Sequence, residues 1–453
     1  MEKNGKPKQN IYIGALKLRN IKCFKGEHII NFTDKDGKLF QWTVIIGNNN
    51  TGKTTILRAI ADLEPVENIM VISKNKDRDK RNVVPFSFFR ESAQKNITAV
   101  RLPEEGTFVG AKLLLDTELD RYKYNLNDKI LSEPTFPQKR IFENDFPWGF
   151  DDLRLSAIDY STPDLYHQIV DFKIYGYGVN RRAGKTAITD NKEQSNTATL
   201  FYDNATLVNT EEWLIQLDYS NKNKQPKAGK FLEKIKQILI SEILPDIQDF
   251  KFTTDIDLDN YVEFKTDYGW VRLDELGYGY RSSIAWIVDL AKKMFERCPD
   301  SENPLAEAAV VLVDELDLHL HPEWQRKIIS FLSRHFPNTQ FIVTAHSPLI
   351  VQSAARINIV LLNKEEDHVT ITQPEIPTYK GWTVEEILSE LMNMGERTHS
   401  DDYLQLMDEF ESALDENDFA RAQAAYDKLE EIIHPDSPQR KLLRMQMSAI
   451  VHD

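Results

Sequence analysis

The chain has 453 residues, 41% of them hydrophobic and 28% charged, a composition of ordinary globular type and a length suited to two or three domains or one large domain with insertions. Its net charge of −15 excludes a global electrostatic footprint for nucleic acid, so DNA contact is left to local basic patches, for which residues 74–81, 181–185 and 222–236 are the candidates against the alternative of solvated loops or helix faces. Two distant cysteines, Cys23 and Cys298, exclude a disulfide framework or zinc site, and neither a signal-peptide stretch nor a run of about 18 apolar residues is present, so a cytoplasmic protein without a membrane partner is expected.

Residues 11–32, "IYIGALKLRNIKCFKGEHIINF", are apolar and rich in β-branched side chains, and read as strands with a break at Lys25-Gly26. "FQWTVIIG" (40–47) is a short continuous apolar run of the kind covered on both faces, and "TTILRAIADL" (54–63) follows with helical spacing at Ile56, Leu57, Ile60 and Leu63. Residues of about 65–170 form an insertion in which 109–119 resembles a strand and 136–153 an irregular stretch. Residues 186–200 are polar and read as a mobile loop. Helical patterns return at 210–217 and 231–244, and "YVEFKTDYGWVRL" (261–273) alternates around Asp267, Tyr268 and Gly269 as a hairpin. A helix is predicted from about 281 to 296, then an apolar strand ending in "VVLV" (310–313), a helix over 322–335 and a strand over 339–347.

From residue 375 onward the chain carries 18 acidic against 7 basic residues. Tyr403, Met407, Phe410 and Leu414 share one helical face, and Phe419, Ala422, Tyr426, Leu429 and Ile433 share another. This predicts a helical hairpin with one apolar stripe per arm, packed on itself, on the rest of the chain, or on a partner. The predicted division is residues 1–375 and an acidic helical region, 376–453.

"GNNNTGKTT" carries the spacing of a phosphate-binding loop from Gly47 through Asn48, Asn49, Asn50, Thr51, Gly52 and Lys53 to Thr54 and Thr55, after a buried strand and before a helix. Gly47 and Gly52 let the backbone curl so that its N–H groups, together with the helix N-terminus, face phosphate oxygens. Lys53 then reaches the β- and γ-phosphates of ATP, and the Thr54 hydroxyl ligates Mg²⁺. Such a site needs a second carboxylate at the end of a neighbouring apolar strand. Asp314 after residues 310–313 fits, with Glu315 beside it to polarise the attacking water. His319 and His321, at a strand-like spacing, are either a metal pair or, through His321-Pro322, the turn into the next helix. Asp259, Glu263 and Lys265 resemble a nuclease core, while in the hairpin reading Glu263 and Lys265 are the outward alternates of a strand whose inner face is Val262 and Phe264.

The order of phosphate loop, acidic strand end, loop with Asp317, helix, strand and His346 resembles an ABC-type ATPase head. "DELDLHLHPEWQRKI" and "TAHSPLIV" narrow the likeness to the RecF/SMC-like and OLD-like ATPases. "YGYGVNRR" and "EEWLIQLDY" are similar to middle segments of that group, and "HPDSPQRKLLRMQ" narrows the likeness again, toward the ATPase of the Septu anti-phage system and related retron-associated ATPases. The resemblance implies an α/β P-loop head with a mixed central sheet and an antiparallel β subdomain, followed by a helical region. It implies catalytic roles for Lys53, Glu315 and His346, the last contacting the γ-phosphate.

It also implies a head-to-tail dimer, in which Asp317 and the signature segment "LGYGYRSS" (276–283) lie at the seam and close the partner's phosphate site. Gly277 stands where the family has a serine, which implies slow turnover, although Gly277 and Gly279 still offer backbone N–H groups. "YGYGVNRR" stands where a Q-loop glutamine is expected. The family often appends a TOPRIM nuclease, for which the 107 residues after His346 are too few. A regulatory ATPase acting on a separate HNH-type nuclease, and on DNA through that complex, is therefore the leading expectation. A RecF/SMC-like repair ATPase acting directly on DNA and a transporter motor are the alternatives.

Overall fold

In chain order the fold begins with β1 (Asn10–Ile21) and β2 (Phe24–Asn31), paired antiparallel. The turn falls at Lys22-Cys23 and not at Lys25-Gly26, because Asn20 and Lys22 adopt left-handed φ of 53° and 48° and the Asn20 carboxamide accepts from Gly26 N at 2.8 Å. A computed structural model describes residues 10–64, 66–67, 86–87, 108–116, 172–184, 195–240, 244–376, 378–392 and 399–450. The patch at 74–81 and the stretch 136–153 lie outside these residues.

β3 (Trp42–Gly47) leads through the glycine loop into α1 (Lys53–Ala61). β4 (Val66–Glu67) pairs with β5 (Phe86–Ser87), and β6 (Phe108–Asp116) joins the other edge of β1 to give the antiparallel sheet β2-β1-β6. After β7 (Ile174–Tyr177), the end of the predicted polar loop is a short helix, α2 (Ala198–Phe201), whose Leu200 is buried against the core. α3 (Thr210–Lys222) is capped by Asn209. α4 (Pro226–Leu239) starts five residues before the predicted 231, because Pro226 suits the first helical turn, where no N–H is needed.

β8 (Asp249–Thr254), β9 (Asn260–Thr266) and β10 (Gly269–Arg272) form a second antiparallel sheet, in which β9 and β10 are the predicted hairpin with Thr266 opposite Gly269. α5 (Tyr278–Arg297) is followed by β11 (Ala309–Val313), α6 (Pro322–His335), β12 (Thr339–Thr344), α7 (Pro348–Ser353), β13 (Asn358–Lys364) and β14 (Val369–Thr372).

The central sheet runs β14-β13-β3-β12-β11-β7 and is mixed, since β14 alone pairs antiparallel. The other pairings are parallel. Every residue of β11 and β12 is buried, as expected for strands covered on both faces. Because β12 lies between β3 and β11, the phosphate loop and the acidic strand end emerge side by side, separated by two strand spacings of about 4.8 Å each. Ile56, Leu57 and Ile60 of α1 pack with Ile45 of β3 and with Leu16 and Leu18 of β1 in the core.

A buried glutamine joins the two sheets. Gln340 of β12 accepts from Ile13 N at 2.9 Å and donates to Ile13 O at 2.8 Å, at a bulge in the β1–β6 register.

The chain divides into two compact units, Met1–Gly381 and Trp382–Asp453. The second holds α8 (Val384–Glu390), α9 (Asp401–Asp415), α10 (Phe419–Ile432) and α11 (Pro438–Ile450). The two predicted stripes pack on each other through Phe410, Ala422, Tyr426, Leu429 and Ile433, and Leu443 and Met447 of α11 complete the cluster. Phe419 leaves its stripe and is 43% exposed.

Gln340→Leu keeps the volume and strands both Ile13 groups in the interior. At about 1–3 kcal/mol for each unsatisfied group, it should destabilise the head by roughly 3 kcal/mol. The measurement is the urea midpoint of the full-length chain, and an unchanged midpoint would refute the clamp.

Candidate active site

The phosphate loop is built by its neighbours as much as by its own sequence. Gly52 has φ of 91°, and a Cβ there would lie 2.6 Å from Cys23 Sγ and 2.8 Å from Phe24 Cζ, so the β1–β2 turn presses directly on the loop. Thr51 is buried and its hydroxyl donates to Asn48 O at 2.8 Å, while Asn48, Asn49 and Asn50 are exposed. Lys53 is held under the loop by donating to Gly47 O at 2.7 Å and Asn48 O at 3.0 Å. Burial lowers its pKa from the usual lysine value, and the charges of Asp314, Glu315 and Asp317 push it back up.

The acidic strand end meets this loop. Asp314 is buried, accepts from Thr54 Oγ1 at 2.6 Å through Oδ2, and accepts from Thr344 Oγ1 at 2.6 Å through Oδ1. Glu315 follows with φ of 49°, its N–H donating to Thr344 Oγ1 at 2.7 Å. Thr54 Oγ1 and Asp314 Oδ2 are hard oxygen donors at the start of a helix, the donor chemistry that magnesium takes when it also binds phosphates and water. The residues fit Mg²⁺, with Thr54 and Asp314 to hold it.

Asp317 is engaged within its own chain. Its carboxylate accepts from the His346 amide at 3.0 and 3.2 Å, fixing the backbone of that exposed histidine. Gln325 of α6 donates to Asp317 O at 3.3 Å and accepts from Ser347 Oγ at 2.6 Å, tying the turn before α6 to the N-cap of α7.

His319 and His321 lie in the turn after Asp314 rather than on a strand. His319, with φ of 64°, meets the Tyr278 ring edge-on at 4.7 Å, and His321 Nδ1 accepts from Glu323 N at 3.3 Å as the cap of α6. Among the described residues, no group of three or more His, Cys, Asp or Glu is arranged to hold a metal ion. In the hairpin, Val262 and Phe264 face inward and fully buried, while Glu263 accepts from Thr253 at 2.8 Å and pairs with Lys251 at 2.9 Å.

The signature segment departs from the sequence reading. α5 begins at Tyr278, three residues before the predicted start, with Gly277 as its N-cap, so Gly279 lies in the first helical turn. A Cβ on Gly279 would come within 2.4 Å of His319 O, whereas one on Gly277 would meet only Tyr280 Cδ2, at 3.8 Å. The segment is thereby joined to the turn that follows Asp314 and Glu315 of its own chain.

Two residues escaped the sequence reading. Thr344 is a polar position at the end of an apolar strand, two residues before His346. Arg181 opens the basic stretch 181–185 but is buried, donating through Nη2 to Glu315 O at 2.7 Å. It is no surface phosphate contact. In the third patch, Lys222, Lys227 and Lys236 pair with Asp218, Asp300 and Asp249.

Residues 42–352 match the family described as "AAA domain, putative AbiEii toxin, Type IV TA system", and residues 15–63 match a further AAA domain family. The chain is 33% identical over 272 residues to the Septu protein PtuA of Bacillus thuringiensis, covering 51% of this chain and 68% of that one. It belongs to this AAA domain family and is a relative of PtuA. The Retron Vc95 probable ATPase of Vibrio cholerae is 23% identical over 445 residues, covering 88% of this chain and 83% of that protein. Among solved structures, an SMC head bound to the C-winged helix domain of ScpA aligns with a TM-score of 0.40 at 14% identity, over 80% of this chain and 97% of that one. As a member of this family the chain is a P-loop ATPase. Among the described residues, no helix is long and apolar enough to cross a membrane.

The two signature glycines should respond in opposite ways to a side chain. Gly277 has φ of −55° and ψ of 150° with open space around it, so Gly277→Ser supplies a better N-cap and should raise stability by a few tenths of a kcal/mol. Gly279→Ala must displace the His319 carbonyl and should cost about 1–3 kcal/mol. Thermal melts of both variants test this, and equal melting temperatures would contradict the packing.

Proposed function

We propose that the chain is the nucleotide-driven regulatory subunit of an anti-phage defence complex, binding ATP with Mg²⁺ and controlling a separate HNH-type nuclease. The observation that carries the nucleotide part is the 2.6 Å hydrogen bond from Thr54 to Asp314, which joins the phosphate loop to the acidic strand end with Glu315 next in line. In this reading, backbone N–H groups of residues 47–55 and the Lys53 ammonium bind the phosphates. Bound Mg²⁺, held by Thr54 and Asp314, would neutralise charge on the β- and γ-phosphates. Glu315 accepts a proton from the attacking water, and His346, with its backbone fixed by Asp317, contacts the γ-phosphate.

The defence role is supported by relatives named Septu PtuA and Retron Vc95 probable ATPase. A head-to-tail dimer is supported by the first turn of α5, where Gly277 and Tyr278 are exposed beside His319 at a helix N-terminus, whose first N–H groups have no partner within the helix. DNA is reached in this scheme through the nuclease complex.

Lys53→Ala should weaken ATP binding on the order of 100-fold, while Glu315→Gln should retain binding and slow turnover by about 10²–10³. Unchanged ATP affinity in the lysine variant would remove the assignment. With ATP–Mg²⁺, the Glu315→Gln chain should sediment as a dimer or larger, and a strict monomer would count against the seam.

The purified chain should leave plasmid DNA intact with Mg²⁺ or Mn²⁺, and co-expression with an HNH protein encoded beside it should give a stable complex that cuts. Metal-dependent cleavage by the chain alone, lost on Glu263→Ala, would replace this reading with an internal nuclease.

A further inference from the structure

Arg181, which follows β7, is used by none of the chemistry above. Its side chain is 2% exposed, its Nη2 donates to Glu315 O at 2.7 Å, and its buried Nε has no acceptor among the described residues. Asp314, Asp317 and Glu315 are near enough for their charges to act on the guanidinium. Burial still brings its pKa down to about 10, so it is a cation at neutral pH. An apolar side chain of similar volume would fill this place at lower cost, since a buried charge with an unspent donor is unfavourable. Local arrangements that oppose stability in this way are typical of functional sites.

What Arg181 holds is the backbone of Glu315. That residue has φ of 49°, a left-handed conformation that an L side chain adopts only when its surroundings enforce it. Its N–H is fixed by Thr344 Oγ1 at 2.7 Å, and its carbonyl accepts from Arg181 at 2.7 Å and, within the turn, from Leu318 N at 3.1 Å. Thr344 ends β12 and Arg181 follows β7, the two strands flanking β11, so Glu315 is gripped from both sides of its own strand. Asp314 is fixed independently, its N–H donating to Tyr177 O at 2.8 Å and its carboxylate engaged by Thr54 and Thr344.

We propose that Arg181 is a positioning residue that sets the direction of the Glu315 carboxylate, so that activation of the attacking water depends on it and binding of ATP–Mg²⁺ does not. This rests on the reading of Glu315 as the general base. The guanidinium supplies from β7, the strand that leads into the "YGYGVNRR" loop, a fixed contact to the catalytic strand end.

The test uses the full chain as wild type, Arg181→Met, Arg181→Lys, Glu315→Gln and the Arg181→Met/Glu315→Gln double variant, with equilibrium ATP binding in Mg²⁺ and single-turnover hydrolysis. Arg181→Met should lower the hydrolysis rate on the order of 10- to 100-fold with ATP affinity within about threefold of wild type. Arg181→Lys should recover part of the rate by restoring one donor to the carbonyl. Added to Glu315→Gln, Arg181→Met should cause no further loss, since both act on one step.

A wild-type rate in Arg181→Met, an equal fractional loss in the Glu315→Gln background, or a drop in ATP affinity beyond about tenfold would each overturn the proposal. Should Arg181→Met fail to fold, Arg181→Lys carries the same comparison, with a partial loss of rate at unchanged affinity as the supporting result. Wild-type turnover by Glu315→Gln would bring down the base assignment and this proposal together. An intact Arg181→Met rate beside an inactive Glu315→Gln would bring down the positioning role alone.

Discussion

The hydroxyl of Thr344 donates to Asp314 Oδ1 at 2.6 Å and accepts from Glu315 N at 2.7 Å, while the Thr344 carbonyl accepts from Leu316 N at 2.9 Å. One residue at the end of β12 thus fixes the Asp314 carboxylate, the Glu315 backbone and the start of the loop that follows. Its position follows from sheet order: β12 lies between β3 and β11, so its last residue stands beside the ends of both strands. The Asp314 carboxylate, shared between Thr344 and Thr54, then fixes the helix that begins with the phosphate loop. Removing that hydroxyl would loosen every one of these groups together, because buried hydrogen-bonded networks act as units.

The parts of this site written in contiguous residues were legible in the sequence. The loop from Gly47 to Thr55 has fixed spacing between a buried strand and a helix, and Asp314 and Glu315 follow an apolar run that admits little but a buried strand. The hairpin at 261–273 was legible for the same reason, since alternation around Asp267-Tyr268-Gly269 specifies both register and face. Arg181 and Thr344 were not, because their roles come from strand neighbours 134 and 29 residues away from Glu315, and nothing local distinguishes a buried arginine from a solvated one. The start of α5 was missed because Gly277-Tyr278-Gly279 has poor helix propensity. Contact with the His319 turn, which only a glycine allows, overrides that preference. In α11 Leu443 and Met447 are buried while Leu442 and Met445 are exposed, so its apolar residues draw no single stripe that would announce a third helix in the cluster.

The turn after Glu315 joins two regions that are far apart in sequence. On one side Asp317 fixes the His346 backbone, and on the other His319 packs against Tyr278 and Gly279 at the head of α5. A shift of a few tenths of an ångström in this turn would move the histidine and the signature segment together. Close packing of this sort favours discrete alternative arrangements over gradual deformation.

The division at Gly381 also separates charge. Residues 382–453 hold 17 acidic and 6 basic side chains, so only −4 of the chain's −15 belongs to residues 1–381. The ATPase unit is therefore close to electrically balanced, and the acidity that argued against nucleic-acid contact is a property of the helical unit. At 0.1 M salt, charges separated by more than about 10 Å are largely screened from one another. Low ionic strength extends the reach of the helical unit's field, repelling polyanions and attracting basic partners, while the near-neutral ATPase surface responds little. An ionic-strength titration of the chain's encounters with either kind of molecule thus reports mainly on its last 72 residues.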